Sequence, residues 1–421
     1  MSRSSLWTDF DCLDEEKTRV YFERSGSSPI NLSIDLDCVE QGITPCDPLF
    51  QIIPHATGRL RSLFVEGPSE DIRVITSHLS HPAPLLERLS IICRRTPHCR
   101  PIIAPTLFNG DLSLLHTLRL VHVRTELPWR NMVNLTSFTL SQTSPGAVSV
   151  EHFLDFFESA PSLKEVKLYS VTPITGAKNR RLVSLACLKS MDINGDDPSS
   201  VLLDHLLIPV GAKLEIGVDL LSSSIREHLP RSLDNLKNFS NFTAIKLCHD
   251  IYFPHMEFSG SNGKVNITFR TSRSDLTGLV LESLRELNTS NTERLEIDSS
   301  GLPTGDPLYR ALLPMKGLRV LTFSRCTNPD IFIRALQPAA RSSEAVVCPK
   351  LEELDLVLNP HETIAHITSV IEMAAARVSR GKKLRTVRIL GGCGAADLDV
   401  SELTKHVWNV EFGSVLGLGR S

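Results

Sequence analysis

The amino-acid sequence predicts an α/β fold in which a short helix and a short β-strand recur along most of the chain. The clearest unit is residues 149–168, whose first half carries phenylalanine and leucine at helical spacing. Pro161 ends that helix, and a Leu-x-x-Val-x-Leu strand pattern follows. Related patterns recur in phase roughly every 20 to 33 residues, close to the period of leucine-rich repeats that carry helices.

Neither half of such a unit can bury its apolar face alone, so the units are expected to stack side by side. The predicted architecture is a leucine-rich-repeat solenoid, an arc or horseshoe. Parallel strands line its concave face, and helices or turns cover its convex face. A doubly wound α/β fold is the alternative. The short, evenly spaced strands and the lack of a glycine-rich turn after the first strand argue against it.

The elements follow this pattern in order. Residues 15–23 predict a short helix that ends at a Ser/Gly/Pro turn, and residues 30–36 alternate as a first strand. Further helices are predicted at residues 276–287, 328–336 and 361–379. The other strands share the Leu-x-x-Leu-x-Leu pattern or a degenerate copy of it. They begin at Leu60, Leu86, Leu115, Leu135, Leu163, Leu188, Leu214, Phe242, Val265, Thr292, Leu318, Leu351 and Leu384.

With 421 residues the chain is too long for one ordinary core, but a solenoid lengthens without thickening its core. We therefore predict one leucine-rich-repeat domain over residues 29–411. Residues 1–28 stand apart in front of it, and residues 412–421 form a C-terminal tail.

Composition narrows the class of partner. The net charge is −3, with 45 basic and 48 acidic residues, so no overall field favours nucleic acid or a membrane surface. No window approaches 18 uninterrupted apolar residues, and the N-terminus carries no apolar signal core. Ten cysteines at irregular spacing indicate reduced thiols. These features predict a cytoplasmic or nuclear protein.

No motif predicts catalysis, a metal or a cofactor. Cys93 and Cys99 flank a turn but lack the spacing and the second ligand pair of a zinc site. His361 and His366 are five residues apart, whereas the zincin motif needs four. Residues 260–264 resemble a phosphate loop only loosely, and a hairpin-like turn suits them better.

The predicted function lies instead on the outward side of the strands. The residue between the last two apolar positions of each unit points away from the core. In order, these candidate partner-binding residues are Arg119, Thr139, Lys167, Asp192, Lys246, Glu296, Thr322, Asp355 and Arg388. The first part is basic and the later part has mixed signs, which suits a protein partner better than a phosphate backbone. The alternative is that they are merely solvated strand positions.

Several segments resemble a large fungal family of F-box-like leucine-rich-repeat proteins. They are residues 5–10 (SLWTDF), 19–25 (RVYFERS) and 28–34 (SPINLSI), together with the repeats that follow Pro161 and Pro349. In that family the first segment closes the F-box, the second forms the next helix, and the third opens the repeats. The resemblance covers nearly the whole chain.

The resemblance implies a substrate receptor of an SCF-type, cullin-RING ubiquitin ligase. Its partners would be a protein substrate and, only if an F-box lies upstream, a Skp-type adaptor. Family members carry before the tryptophan a stretch that starts Leu-Pro and ends near a Cys-x-x-Trp. Here Met1 lies five residues before Leu6, so the F-box itself is expected to be missing or truncated.

A ribonuclease-inhibitor-like scaffold or inhibitor with no ubiquitin role is the alternative. An enzyme on an α/β fold is a third hypothesis, which lacks any motif in its structural context. The sequence therefore predicts a non-enzymatic protein-recognition module.

Overall fold

The structure is a computed structural model that divides into two compact units. Unit 1 comprises Met1–Ala212 and Leu229–Asn235, and unit 2 comprises Lys213–His228 and Leu236–Ser421. The residues that the structure describes are 7–11, 15–36, 47–94, 102–103, 107–110, 112–125, 131–141, 149–171, 181–195, 200–219, 229–230, 236, 242–249, 254–260, 263–270, 281, 284, 287–298, 305–325, 333–337, 346–357, 367–391 and 400–413.

Unit 1 is built on a parallel sheet. Its strands are β1 (Asp9–Asp11), β2 (Ile30–Asp35), β3 (Leu60–Gly67), β4 (Arg88–Cys93), β5 (Ile102–Ile103), β6 (Thr117–Val121), β7 (Arg124–Thr125), β8 (Ser137–Ser141), β9 (Glu165–Tyr169), β10 (Val183–Ser184), β11 (Ser190–Asn194) and β12 (Leu206–Leu207). Eight of them pair in parallel in the order β1-β2-β3-β4-β6-β8-β9-β11. Two small pairs, β5–β7 and β10–β12, are also parallel.

The described helices of unit 1 fall between these strands. They are α1 (Glu15–Ser25), α2 (Asp47–Ala56), α3 (Ser69–Ser77), α4 (Val150–Ser159) and α5 (Ser200–Leu203), with 3-10 turns at Thr57–Arg59 and Leu107–Gly110. Unit 1 thus alternates strands with helices or turns, as the repeat pattern predicts.

Helix α4 shows how one repeat folds. The Ser149 Oγ accepts a hydrogen bond from the His152 amide at 3.2 Å, which caps the N-terminus of the helix. The helix ends at Ala160, directly before Pro161. Its apolar side is buried, and the Phe156 ring lies 4.5 Å from that of a phenylalanine on β8. The helix therefore covers the sheet that the repeats form.

Unit 2 carries a mixed sheet. Its strands are β13 (Lys213–Asp219), β14 (Phe242–His249), β15 (Pro254–Gly260), β16 (Gly263–Arg270), β17 (Arg294–Asp298), β18 (Val320–Ser324), β19 (Glu353–Val357), β20 (Leu384–Leu390) and β21 (Val407–Gly413). They pair in the order β13-β16-β15-β14-β17-β18-β19-β20-β21. Its labelled helices are α6 (Gly305–Leu312), α7 (Ile367–Val378) and α8 (Ser401–His406).

The α/β class with a long, mostly parallel sheet is confirmed, with one difference. Strands β14, β15 and β16 pair antiparallel, whereas parallel strands were predicted throughout. The extra strand, β15, lacks the repeat signature. It alternates instead, and its Met256 and Phe258 are buried. The predicted hairpin-like turn joins β15 to β16, although residues 261–262 lie outside the described part.

The N-terminal segment joins the sheet of unit 1, because β1 pairs with β2. Just before β1, the Trp7 ring contacts the Tyr21 ring of α1 edge to face, with the two ring centres 4.9 Å apart. The Arg24 guanidinium lies 4.7 Å from the centre of the Trp7 ring, a cation–π contact. The segments that carry the family resemblance therefore pack onto the first strands of the repeat region. The predicted region 29–411 spans parts of both units.

Some predicted elements lie outside the described residues. The helices predicted at residues 276–287 and 328–336 fall largely in that part, as does the start of the helix predicted at 361–379, whose described portion is α7. Within the described chain, no helix is long and apolar enough to span a bilayer.

Helix α7 carries a fully buried arginine. The Arg377 side chain donates from Nη1 to the Val347 carbonyl and from Nη2 to the Cys348 carbonyl, both at 2.9 Å. Its Nε has no hydrogen-bond partner among the residues that the structure describes. Burial lowers the pKa of Arg377, since desolvation disfavours the charged form. This arginine thus fixes the segment that leads into β19.

The thiol of Cys348 is expected to resist alkylation in the folded protein. Burial raises its pKa to about 12, because an apolar site disfavours the thiolate. At pH 8, iodoacetamide should modify the exposed Cys187 and spare Cys348, and both should react in urea. Mass spectrometry of tryptic peptides measures this. Rapid labelling of Cys348 in native buffer would contradict its burial.

The same shift predicts a loss of stability in alkali. The unfolded thiol loses its proton near pH 8.5, whereas the folded thiol keeps it to about pH 12. The stabilisation that the buried, protonated Cys348 thiol gives the fold is therefore fully present below about pH 8.5. It is lost as the pH rises from about 8.5 towards 12. Urea unfolding at pH 8 and pH 10 measures the change, with Cys348→Ala as the control that should show a smaller one.

Candidate interaction surface

The central outward-facing residues of the strands of unit 1 form a row across its sheet. Row 1 is Ser33, Phe64, Ser90, Arg119, Thr139, Lys167 and Asp192, each directly opposite the next on the neighbouring strand. The flanking apolar residues, such as Leu118 and Leu120 beside Arg119, are fully buried. All four candidate residues predicted in this part of the sequence thus lie at one level of one sheet.

Unit 2 has a corresponding row. Row 2 is Glu215, Asn266, Glu257, Lys246, Glu296, Thr322, Asp355, Arg388 and Glu411, again in register across neighbouring strands. It contains the other five predicted candidates. The structure therefore brings the nine predicted residues into two rows, four in unit 1 and five in unit 2.

Row 1 contains two cations without an ion partner in the described part of the chain. Arg119 and Lys167 are both exposed, and they flank Thr139 on the strand between them. Neighbouring strands are about 4.8 Å apart, so the two cations project roughly 10 Å from each other. Asp192 differs, because it accepts hydrogen bonds from the Tyr169 hydroxyl at 2.5 Å and the Asn194 amide at 3.0 Å. The middle of row 1 therefore offers positive charge to a partner.

Row 2 satisfies most of its own charge. The Lys246 Nζ lies 2.6 Å from Glu296 Oε1 on the next strand. Partial burial lowers the pKa of Lys246, but the hydrogen bond and attraction from Glu296 outweigh that effect and leave the pKa raised. This ion pair joins β14 to β17. A partner would have to break it to use either charge.

Arg388 is the centre of the charged network in row 2. Its Nη1 donates to Glu353 Oε2 at 2.7 Å and to Asp355 Oδ1 at 3.1 Å, and its Nε donates to Glu411 Oε2 at 2.8 Å. Thr322 Oγ1 donates to the other oxygen of Asp355 at 3.2 Å. The hydrogen bond to Glu353 is the main cause of the raised pKa of Arg388. These contacts tie together four consecutive strands, β18 to β21.

Asp355 was predicted to point away from the core, and its exposed fraction is only 8%. It does face away from the apolar core, and the side chains of Arg388 and Thr322 cover it. Sequence reasoning also missed Glu353 and Glu411, the other two carboxylates bound to Arg388. The register of the repeats was the signal that could have found Glu411.

The two rows differ in charge. Row 2 has five carboxylates and two cations, whereas the middle of row 1 has two cations and hydroxyl groups.

The motifs considered for metal or anion chemistry lie only partly in the described part of the chain. Among the described residues, no three His, Cys, Asp or Glu side chains cluster in a way that could hold a metal. Cys93 is buried, and its Sγ donates to the Arg94 carbonyl, while Cys99 lies outside the described residues. His361 and His366 lie outside them too. No protein-family model matches the chain, and no curated protein matches it.

Proposed function

We propose that the chain is a leucine-rich-repeat solenoid that binds another protein through the outward faces of its strands and performs no chemistry itself. The observation that supports this most is the register of the nine candidate residues, which makes continuous polar rows out of positions that are scattered in the sequence. Extended polar faces on repeated strands are typical of repeat proteins that bind protein partners.

The partner is expected to contact row 1 through acidic groups. Arg119 and Lys167 already lie on rigid strands, so binding a carboxylate there costs little reorganisation. Row 2 is expected to contribute less energy, because its cations are already paired. Charge complementarity at row 1 would set the association rate and the choice of partner more than the total affinity.

The family resemblance extends this proposal to ubiquitination. Residues 5–10 resemble the segment that closes an F-box, and residues 19–25 resemble the helix that follows it. The chain would then serve as the substrate receptor of an SCF-type ligase in the cytoplasm or nucleus. The test is a pull-down with the product of the longest native transcript, probed for a Skp-type adaptor. Failure to recover the adaptor would count against the ligase role. The chain would then be a protein-binding inhibitor or scaffold with no role in ubiquitination.

Reversing the charge of row 1 is expected to abolish partner binding. In the variant Arg119→Glu/Lys167→Glu, carboxylates on the partner would meet like charges instead of cations, which costs several kcal/mol at a contact. Both side chains are exposed, so the thermal midpoint should stay within a few degrees of wild type. The measurement is affinity capture from native extract and mass spectrometry, followed by calorimetry with the purified partner.

The matched control is Arg310→Glu, an exposed arginine on helix α6 of unit 2. It makes the same kind of charge change away from the strand rows and should leave binding unchanged. Equal binding by wild type and the double variant would exclude row 1 as the docking surface. A loss of binding in the control as well would show a nonspecific effect of net charge.

A further inference from the structure

The edge of unit 2 where the strands begin contains a cavity that belongs to neither row. Three successive turns, which lead into β17, β18 and β19, border a cavity of about 500 Å³ that is open to solvent. Ser290 belongs to the first turn, Lys316 and Gly317 to the second, and Lys350 to the third. Cavities of this size hold small ligands or single side chains of a partner.

The charged groups of this cavity are mostly positive. Lys316, Arg319 and Lys350 line it, and Glu293 is the one acidic residue among its lining residues. All four side chains are exposed, and none has an ion pair in the described part of the chain. The cavity therefore carries an uncompensated double positive charge, unlike row 2, whose cations are paired.

The backbone holds these groups in a fixed arrangement. The Glu293 amide donates to the Thr243 carbonyl at 2.7 Å, and the Arg319 amide donates to the Glu293 carbonyl at 2.8 Å. At Gly317 a Cβ atom would lie 2.9 Å from the Ser290 carbonyl oxygen, so only glycine lets the second turn approach the first this closely. The cations are thus presented by the rigid edge of a sheet.

Uncharged donors complete the lining. Thr243, Ser290 and Asn291 line the same space as the three cations. The Ser290 hydroxyl donates to Asn288 Oδ1 at 2.7 Å, so a ligand would compete with that bond. Hydroxyl and amide donors together with lysine and arginine are the groups that coordinate phosphate oxygens. A guanidinium can bind two such oxygens at once, and a lysine acts as a compact charge.

The basic character continues beyond the cavity. Lys382 and Lys383 lie just before β20, and Arg385 is its second residue. The Arg385 amide donates at 2.8 Å to the carbonyl of Glu352, which directly precedes β19. This edge of unit 2 is therefore basic, while row 2 on the face of the same sheet is acidic. The potential at the edge favours anions in a chain whose net charge is −3.

We propose that this cavity binds a phosphate monoester, with Lys316, Arg319 and Lys350 as the charged ligands. A dianionic phosphate matches the double positive charge, whereas a single carboxylate would leave half of it uncompensated. The phosphate can belong to a small molecule or to a phosphorylated side chain of a protein. The cavity shares no residue with row 1. A failure of phosphate binding at the cavity can therefore be told apart from a failure of protein binding at row 1.

The test is a calorimetric and TROSY NMR titration of the full chain with inorganic phosphate, O-phosphoserine and a phosphoserine hexapeptide. We expect saturable binding with a Kd of about 1 mM or tighter for at least one probe, with shifts at the Ser290, Gly317 and Lys350 amides. Replacing Lys316, Arg319 or Lys350 singly by glutamine should weaken binding about tenfold. Glu293→Gln should strengthen it, because a like charge is removed.

The control is Arg88→Gln/Lys164→Gln/Lys189→Gln, which removes three exposed positive charges from unit 1 outside row 1 and should leave phosphate binding unchanged. Tighter binding of the hexapeptide than of free phosphate would support the proposal with a protein side chain as the source. Equal affinities would support it with a small molecule. The proposal is overturned if no probe saturates, or if the unit 1 control loses binding as much as the cavity variants do. Because a misfolded variant would lose binding, tighter phosphate binding by Glu293→Gln cannot be explained by misfolding.

Discussion

Arg377→Ala is expected to lower the free energy of unfolding by about 3–5 kcal/mol, the largest effect of any single substitution considered for this chain. The guanidinium is fully buried and bridges the carbonyls of Val347 and Cys348. Alanine would leave both acceptors without their donors and open a cavity beside β19. Urea unfolding of the full chain measures the loss.

Two further substitutions of Arg377, to methionine and to lysine, separate the loss of packing volume from the loss of the hydrogen bonds. Arg377→Met keeps most of the volume and removes a buried charge that has no acidic partner among the described residues, so it should cost less than alanine. Arg377→Lys keeps the charge but cannot reach two carbonyls with a planar fork. Hydrogen exchange should rise first in residues 346–357 and 367–378. A change of under about 1 kcal/mol for Arg377→Ala would show that the arginine is not buried in solution.

Arg388→Ala is expected to cost about 1–3 kcal/mol, because three carboxylates would then face one another without their shared cation. The contact with Glu411 contributes the smallest share, since that side chain is 45% exposed and solvent screens it. The contact with Asp355 contributes more, since its side chain is 11% exposed. Exchange protection across β19, β20 and β21 should fall together.

The check on this second prediction is a double-mutant cycle. Asp355→Asn removes one of the repelling carboxylates, so the pair Arg388→Ala/Asp355→Asn should lose less than the sum of the single variants. Raising the salt concentration to about 1 M should also reduce the loss of unfolding free energy in Arg388→Ala, because salt screens the repulsion between the exposed carboxylates. Strict additivity in the cycle would mean that the two side chains do not interact.

The repeat strands were predictable because each carries its own signature. Units such as the one that ends in β9 combine a capped helix, a proline stop and an alternating strand, and those local preferences agree with the final packing. The outward row positions were predictable for the same reason, since in-phase repeats place equivalent residues opposite one another. What the rows bind stays a prediction.

The rest depended on contacts between distant parts of the chain. Strand β15 carries no repeat signature, so only its pairing with β14 and β16 identifies its place. Arginine is rarely buried without a partner, and nothing near Arg377 in sequence indicates that its carbonyl acceptors lie about thirty residues earlier. The cavity is likewise made of three turns that meet only after the strands have paired.

Strand β15, which pairs antiparallel with β14 and β16, also affects the order in which the sheet of unit 2 can form on the ribosome. In unit 1 the main-sheet strands from β1 to β11 pair successively along the chain, so each new repeat can dock on the edge left by the previous one. In unit 2 the parallel partner of β13 is β16, which is synthesised only after β14 and β15. A nascent chain that ends between them exposes an unpaired strand, and that interval is when a chaperone would be needed most.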